Sequence, residues 1–264
     1  MKNDKQRVPK IGVMDSGMGG LSVLKELLEL PYSANFLYFG DLAHAPYGEK
    51  QTSEVLELTR NVCNIFLEQE VDAILLACNT ATSASASKLR EELSVPVFGM
   101  EPAIKPALLS HPGEKIALLA TSVTHREEKL QELKSELGAS ERVVHLNCDG
   151  LASLVDRERW VEAKLLLKNI LQIPKEQGIR ALVLGCTHYV FLKNEIKEVY
   201  PEAILHDGNR GTVRHLVRSL RLDETPGHPK YSLFFSSHTE REELEGLTIR
   251  FLQKVSQNKW KFFS

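Results

Sequence analysis

The chain has 264 residues, of which 42% are hydrophobic and 26% are charged, and its formal net charge at pH 7 is -2. A chain of this size forms one large domain or two compact ones, and the lack of a basic excess argues against nucleic acid or a membrane surface as a partner. Residues 1–10 lack the apolar core of a secretory signal, no run reaches transmembrane length, and no two of the four cysteines form a CxxC pair. We therefore expect free thiols in a reducing cytoplasm.

Short apolar runs alternate with stretches of helical periodicity, which is typical of a parallel sheet covered by helices. Helices are predicted at 21–28, after a glycine-rich turn, and at 52–69, where an apolar stripe includes Val55, Ile65 and Phe66. The predicted fold class is α/β. In chain order, the predicted strands are 11–14, 36–39, 73–77, 95–98, 116–119, 143–146, 181–184 and 203–205.

The two halves of the chain resemble each other. Residues 71–78 (VDAILLAC) match residues 179–186 (IRALVLGC), and the same spacing separates the runs that end at Asp41 and Asp149. Two weaker matches, 10–14 with 115–119 and 95–98 with 202–205, occur in the same order. Such a duplication predicts two pseudo-symmetric lobes, the first formed by residues 1–103 plus 212–264 and the second by 104–211.

Two of the cysteines, Cys78 and Cys186, occupy equivalent positions at the ends of matched strands. Ligands of open parallel sheets bind outside the carboxyl ends of the strands, so we expect these thiols to flank one cleft between the lobes. A thiol has a reference pKa of about 8.5 and can both accept and return a proton. Two opposed thiols therefore suit the inversion of a Cα centre without a cofactor.

Four sequence blocks resemble those of the glutamate racemases and occur in that family's order. They are DSGMGG at 15–20, PYG at 46–48, ACNTA at 77–81 and GCTHY at 185–189, and the resemblance extends to GMEPA at 99–103 and to the tail around Phe251. Each block alone is a weak signal, but four at compatible spacing form a strong one.

The resemblance implies a role for particular residues. Cys78 and Cys186 would be the catalytic acid/base residues, with Asp15 assisting the first, His188 assisting the second, and Asp156 supporting the second cysteine. Residues that would bind the amino acid are Asp15, Ser16, Pro46, Tyr47, Gly48, Asn79, Thr80, Thr121, Thr187 and His188.

The resemblance also implies a substrate, glutamate, and a role for its D-isomer in peptidoglycan precursor synthesis. No cofactor and no metal would be needed, and a homodimer is a possible assembly. Two departures from the family's usual sequence, Val190-Phe191 after the His-Tyr pair and Asp207-Gly208-Asn209, concern the edge of the pocket and hence substrate preference.

Other interpretations of the same residues remain open at this stage. The glycines at 17, 19 and 20 could cradle a phosphate, although a tight turn is the simpler reading, and Asp15 could cap the helix that follows. Asp41 and Asp149 are read as strand-end caps.

Three other functions compete with glutamate racemisation. They are racemisation of aspartate or another acidic amino acid, amino-acid binding without catalysis, and redox chemistry of the two thiols. A disulfide would require Cα atoms within about 7 Å.

Overall fold

The computed structural model describes residues 7–126, 135, 138–222, 229–237 and 239–256. Strands and helices alternate through these ranges, and the predicted α/β class with two lobes is confirmed. The strands are β1 (Lys10–Asp15), β2 (Asn35–Gly40), β3 (Ala73–Leu76), β4 (Val97–Gly99), β5 (Ile116–Ala120), β6 (Val143–Asn147), β7 (Ala181–Leu184), β8 (Ile204–Asp207) and β9 (Lys230–Phe235).

The helices follow the strands along the chain. They are α1 (Leu21–Leu28), α2 (Thr52–Glu68), α3 (Asn79–Glu92), α4 (Ile104–Ser110), α5 (Ser122–His125), α6 (Leu151–Asp156), α7 (Trp160–Ile170), α8 (Gln172–Glu176), α9 (Lys193–Val199), α10 (Asn209–Leu220) and α11 (Arg241–Val255). Short 3₁₀ turns lie at Leu42–His44, Tyr47–Glu49 and Thr187–Leu192. Among the described residues, none of these helices combines the length and apolar character needed to cross a bilayer.

The two sheets share one topology. The first has the strand order β4-β3-β1-β2-β9 and the second β6-β5-β7-β8, and neighbouring strands are parallel in both. Reversed, the second order is β8-β7-β5-β6, which matches the first four strands of the other sheet one for one. The duplication read from the sequence is thus a duplication of a four-strand unit.

β9 is an element that the sequence reading missed. It pairs in register with β2 at the edge of the first sheet, with Asn35 opposite Lys230 and Gly40 opposite Phe235. Its residues alternate between exposed and half-buried, because an edge strand is covered less fully than a central one. β9 thus returns the chain to the first sheet, and the domain limits stay a prediction.

The core consists of the central strands and the helix faces packed on them. β3, β5 and β7 are buried along their whole length, and burying each large aliphatic side chain contributes about 1.5–3 kcal/mol. On α2, Val55 and Phe66 are buried as expected, but Ile65 is 41% exposed. The stripe that faces the sheet includes Thr59 and Cys63 instead, so the predicted apolar face was wrong at Ile65.

Candidate active site

A closed cleft lies between the lobes, at the carboxyl ends of the strands in both sheets. Residues from both halves line it: Ser16, Pro46, Tyr47, Gly48, Glu49, Cys78, Thr80, Thr121, Cys148, Asp149, Gly150, Ala152, Asp156, Cys186 and His188. Its volume is about 20 Å³, which is room for about one water molecule. The cleft of this structure is therefore smaller than an amino acid.

Cys78 ends the β3 segment and caps helix α3. Its Sγ accepts a hydrogen bond from the Ala81 N–H at 3.3 Å and lies 3.6 Å from Ser16 Oγ. Burial, with a smaller contribution from the nearby Asp15 charge, raises the pKa of the Cys78 thiol to about 12. This thiol is therefore protonated in the free protein near neutral pH.

Cys186 stands at the equivalent position after β7 and has a different partner. Its Sγ lies 3.6 Å from His188 Nδ1, and His188 Nε2 lies 2.9 Å from Asp156 Oδ1. Burial alone would lower the pKa of His188, but the Asp156 carboxylate outweighs it and raises that pKa well above its ordinary value. Cys186 and Asp156 thus flank the two ring nitrogens of His188, and the Gly19 N–H of the other lobe also lies 3.2 Å from Nε2.

The glycine-rich turn after β1 packs directly against this histidine and its carboxylate. A Cβ on Gly19 would lie 2.3 Å from His188 Nδ1, and one on Gly17 would lie 2.6 Å from Asp156 Oδ2. Any side chain at these positions would push the two lobes apart. The glycines therefore serve a close approach between lobes, which supports the turn reading over a phosphate cradle.

Asp15 lies fully buried behind the cleft surface, between the two thiol sites. Its Oδ1 accepts from the Gly17 N–H at 2.8 Å, and its Oδ2 accepts from the Thr187 hydroxyl at 3.2 Å. Burial raises the pKa of Asp15, and the positive charge of His188 partly offsets that effect. The backbone N–H of Gly20, the residue before α1, also bonds to the Asp15 carboxylate and lowers its pKa, so Asp15 contacts the start of that helix as well.

Asn79 and Thr187 also lie behind the residues that line the cleft. Asn79 is 3% exposed, and neither its Nδ2 nor its Oδ1 has a hydrogen-bond partner among the described residues. Leaving such a buried amide unpaired costs about 1–3 kcal/mol. The Asn79 amide lies at the first turn of α3, directly after Cys78. It is therefore a polar group that can bind a ligand.

The sequence reading missed several residues that line the cleft. Asp149, read as a strand-end cap, faces it, as do Cys148, Gly150, Ala152 and Glu49. For residues 148–152 the position after β6 is the signal that could have found them, since β6 is the counterpart of β2 and also ends at this edge. Burial raises the pKa of the Cys148 thiol, so this third sulfur stays protonated.

The cleft holds no set of metal ligands in the part of the chain that the structure describes: no group of three or more His, Cys, Asp or Glu is arranged around one point. Two matched α/β lobes with titratable side chains around one cleft are an arrangement typical of an enzyme that acts on a small molecule.

Comparison with known proteins identifies the family. A family model for Asp/Glu/Hydantoin racemases matches residues 38–216. The glutamate racemase of Leptospira interrogans serogroup Icterohaemorrhagiae serovar copenhageni is 60% identical over 213 residues, covering 81% of this chain and 83% of the relative. The chain therefore belongs to the Asp/Glu/Hydantoin racemase family, and within it to the glutamate racemases, so it is an amino-acid racemase.

Solved structures of the same family share the fold. Glutamate racemase isoform RacE1 from Bacillus anthracis is 29% identical, with a TM-score of 0.81 over 93% of this chain and 94% of that one. The glutamate racemase of Francisella tularensis, solved in complex with D-glutamate, is 26% identical, with a TM-score of 0.78 over the same shares of the two chains. The two-lobed arrangement is thus that of its relatives.

Proposed function

We propose that this chain interconverts L- and D-glutamate by proton transfer between Cα of the substrate and two opposed thiols, those of Cys78 and Cys186. The observation that carries the proposal is that each lobe contributes one thiol to the same closed cleft, at equivalent positions of a duplicated unit. The names of the relatives and the D-glutamate held by the Francisella protein support glutamate as the substrate.

The surroundings of the two thiols differ. Cys78 begins as a thiol, because burial raises its pKa to about 12. Cys186 is the proposed base of the first direction, and His188 Nδ1 lies 3.6 Å from its sulfur. In one direction, Cys186 Sγ takes the proton from Cα while Cys78 gives its own proton to the opposite face. The other direction reverses both transfers.

The remaining cleft residues bind and orient the amino acid. Asn79 and Thr80 begin helix α3, where free backbone N–H groups and the helix dipole favour a carboxylate. Thr80 Oγ1 lies 3.1 Å from Thr121 Oγ1 of the other lobe, and both residues line the cleft. Such donors stabilise the negative charge that develops as Cα loses its proton.

The wider role follows from the product. D-glutamate supplied in the cytoplasm would enter peptidoglycan precursor synthesis, and the enzyme would support cell-wall formation and cell shape. The proposed proton transfers use the two thiols and no cofactor. A homodimer stays a prediction that sedimentation would test.

The experiment that tests the proposal is racemisation by single cysteine variants. Cys78→Ala and Cys186→Ala should each lose racemisation of both isomers, because each direction needs both thiols. Cys63→Ala is the matched control: it removes a buried thiol of α2 that does not line the cleft, and it should keep activity. Full racemisation by either cleft variant would refute the two-thiol mechanism.

The competing functions give different results in simple assays. Chiral chromatography of several amino acids in deuterated water identifies the substrate, and faster Cα exchange with aspartate than with glutamate would favour the related racemase activity. Binding without exchange for every amino acid would favour a binding protein. Ready formation of a disulfide between Cys78 and Cys186, which are both free thiols here, would favour redox chemistry.

A further inference from the structure

Two aspartates occupy equivalent positions of the two halves and have no part in the proton transfers. Asp41 directly follows β2, and Asp149 follows β6 by one residue more. Asp41 is 3% exposed, and Asp149 lies at the cleft surface. Each carboxylate bonds to a segment that forms the cleft, Asp41 to Tyr47 and Asp149 to Ser122.

The carboxylate of Asp41 joins three segments of the first lobe. Its Oδ2 accepts from the Tyr47 hydroxyl at 2.6 Å, its Oδ1 lies 2.8 Å from His44 Nδ1, and the hydroxyl of Ser236, just after β9, also donates to Oδ1. Tyr47 is 1% exposed and lines the cleft beside Gly48. A buried carboxylate with both oxygens occupied holds the Tyr47 ring in one position.

The carboxylate of Asp149 does the same in the second lobe. Its Oδ1 accepts from the Ser122 N–H at 2.9 Å, and its Oδ2 accepts from the Ser122 hydroxyl. Ser122 begins helix α5, next to Thr121, whose hydroxyl reaches Thr80 across the cleft. The orientation of Thr121 therefore depends on the same carboxylate.

The two held segments meet each other over the cleft. We call Tyr47–Gly48 the first wall and Thr121–Ser122 the second wall. A Cβ on Gly48 would lie 2.6 Å from Thr121 Cγ2, so the backbone of the first wall touches a side chain of the second. A small displacement of either wall would alter the closed cleft.

We propose that Asp41 and Asp149 are a matched pair of positioning residues, one in each lobe, that hold the two walls where they close on the bound amino acid. The proposal rests on the proposed racemase function. Both oxygens of each carboxylate already accept hydrogen bonds from the protein, so these residues act through the walls. The repeat explains why the chain has two of them: each half carries its carboxylate at the same strand end.

Double-mutant cycles on kcat/KM test the first wall. Asp41→Asn and Tyr47→Phe should each lower kcat/KM about tenfold, chiefly by raising KM, and the double variant should be no worse than the more impaired single variant. A merely structural role would reduce the folded fraction and leave kcat/KM per folded enzyme unchanged. Losses that multiply in the double variant would overturn the proposal.

The second wall is tested in the same way with Asp149→Asn and Ser122→Ala. Asp72→Asn is the matched control for both aspartates, because that carboxylate lies at the opposite end of the first sheet, where it accepts from the Lys10 N–H. It should leave both kinetic constants unchanged.

The outcomes separate this proposal from the function on which it rests. Multiplicative losses in an active racemase overturn the positioning roles and leave the function standing. If the unaltered protein fails to racemise any acidic amino acid, the function is wrong, and crystal structures of Asp41→Asn and Asp149→Asn then decide the positioning roles. Displaced walls would support them, and unmoved walls would overturn them.

Discussion

The Asp156→Asn variant isolates the group that keeps His188 charged. The two side chains are 3% and 11% exposed and are joined by a contact of 2.9 Å, so solvent screens their interaction little. A hydrogen bond to a charged group contributes about 1.5–3 kcal/mol. Replacing the carboxylate by an amide of nearly the same shape should therefore disfavour the imidazolium by about 2 kcal/mol, or about 30-fold.

The expected result is a change in the pH profile. In the unaltered enzyme, His188 loses its proton only as the pH rises through its raised pKa. In the variant this loss occurs at lower pH, so the alkaline limb of kcat/KM should move to lower pH in the direction that begins with Cys186 as the base. Initial rates from each isomer, followed by circular dichroism across the pH range, measure this.

The pH dependence of the free energy of unfolding should change in the same direction as the alkaline limb of kcat/KM. Because the pKa of His188 is raised in the folded state, the ion pair stabilises the protein fully below the pKa of an unfolded histidine, and this contribution is lost as the pH rises through the folded-state pKa. Asp72→Asn, a surface carboxylate, is the control and should shift neither curve. An unchanged alkaline limb in Asp156→Asn, or one moved to higher pH, would refute the reasoning.

Three further predictions concern the walls, the thiols and the unpaired amide. Gly48→Ala should lower kcat/KM at least tenfold, because its Cβ would meet Thr121 Cγ2 at 2.6 Å, and adding Thr121→Ser, which removes that methyl group, should restore part of the loss. Iodoacetamide near neutral pH should modify Cys186 before Cys78, whose pKa is raised to about 12, as peptide mass mapping would show. Asn79→Ala should keep or raise the free energy of unfolding measured in urea while raising the KM for glutamate, since it removes a buried amide without partners.

Each of these has a control within the chain. Gly211→Ala meets nothing within 4 Å and should leave activity intact, so a loss there equal to that of Gly48→Ala would remove the steric explanation. Cys63 should stay unmodified, and faster alkylation of Cys78 than of Cys186 would contradict the raised pKa of Cys78. Asn209→Ala should destabilise, because that amide donates to Ser22 at 2.9 Å; a similar loss of stability in Asn79→Ala would contradict its unpaired state.

The sequence predicted the parts of the site that the repeat makes visible. Cys78 and Cys186 follow matched apolar strands, so the period of the strands and the rule that ligands bind at their carboxyl ends are enough to bring them together. β9 was missed because a half-exposed edge strand has no full apolar run. Its hydrogen bonds come from β2, which lies almost two hundred residues earlier, and no local pattern reports them.

The sequence did not predict the contacts between the lobes, for a related reason. The approach of Gly19 to His188 and of Gly17 to Asp156 depends on how the two halves pack, and a pattern within either half does not determine that packing. The strand-end position of Asp41 is readable too, but its bond to Ser236 joins residues 195 positions apart. The sequence therefore indicated which residues to consider and left their partners open.

The most direct test of the two-thiol account is the fate of the Cα proton in deuterated water. Starting from L-glutamate, early D-glutamate should carry solvent deuterium at Cα while the remaining L-glutamate stays unlabelled, because a different sulfur serves each face. Equal early labelling of both isomers would mean that one base serves both faces. D-glutamate that keeps the original proton would contradict the account in the same way.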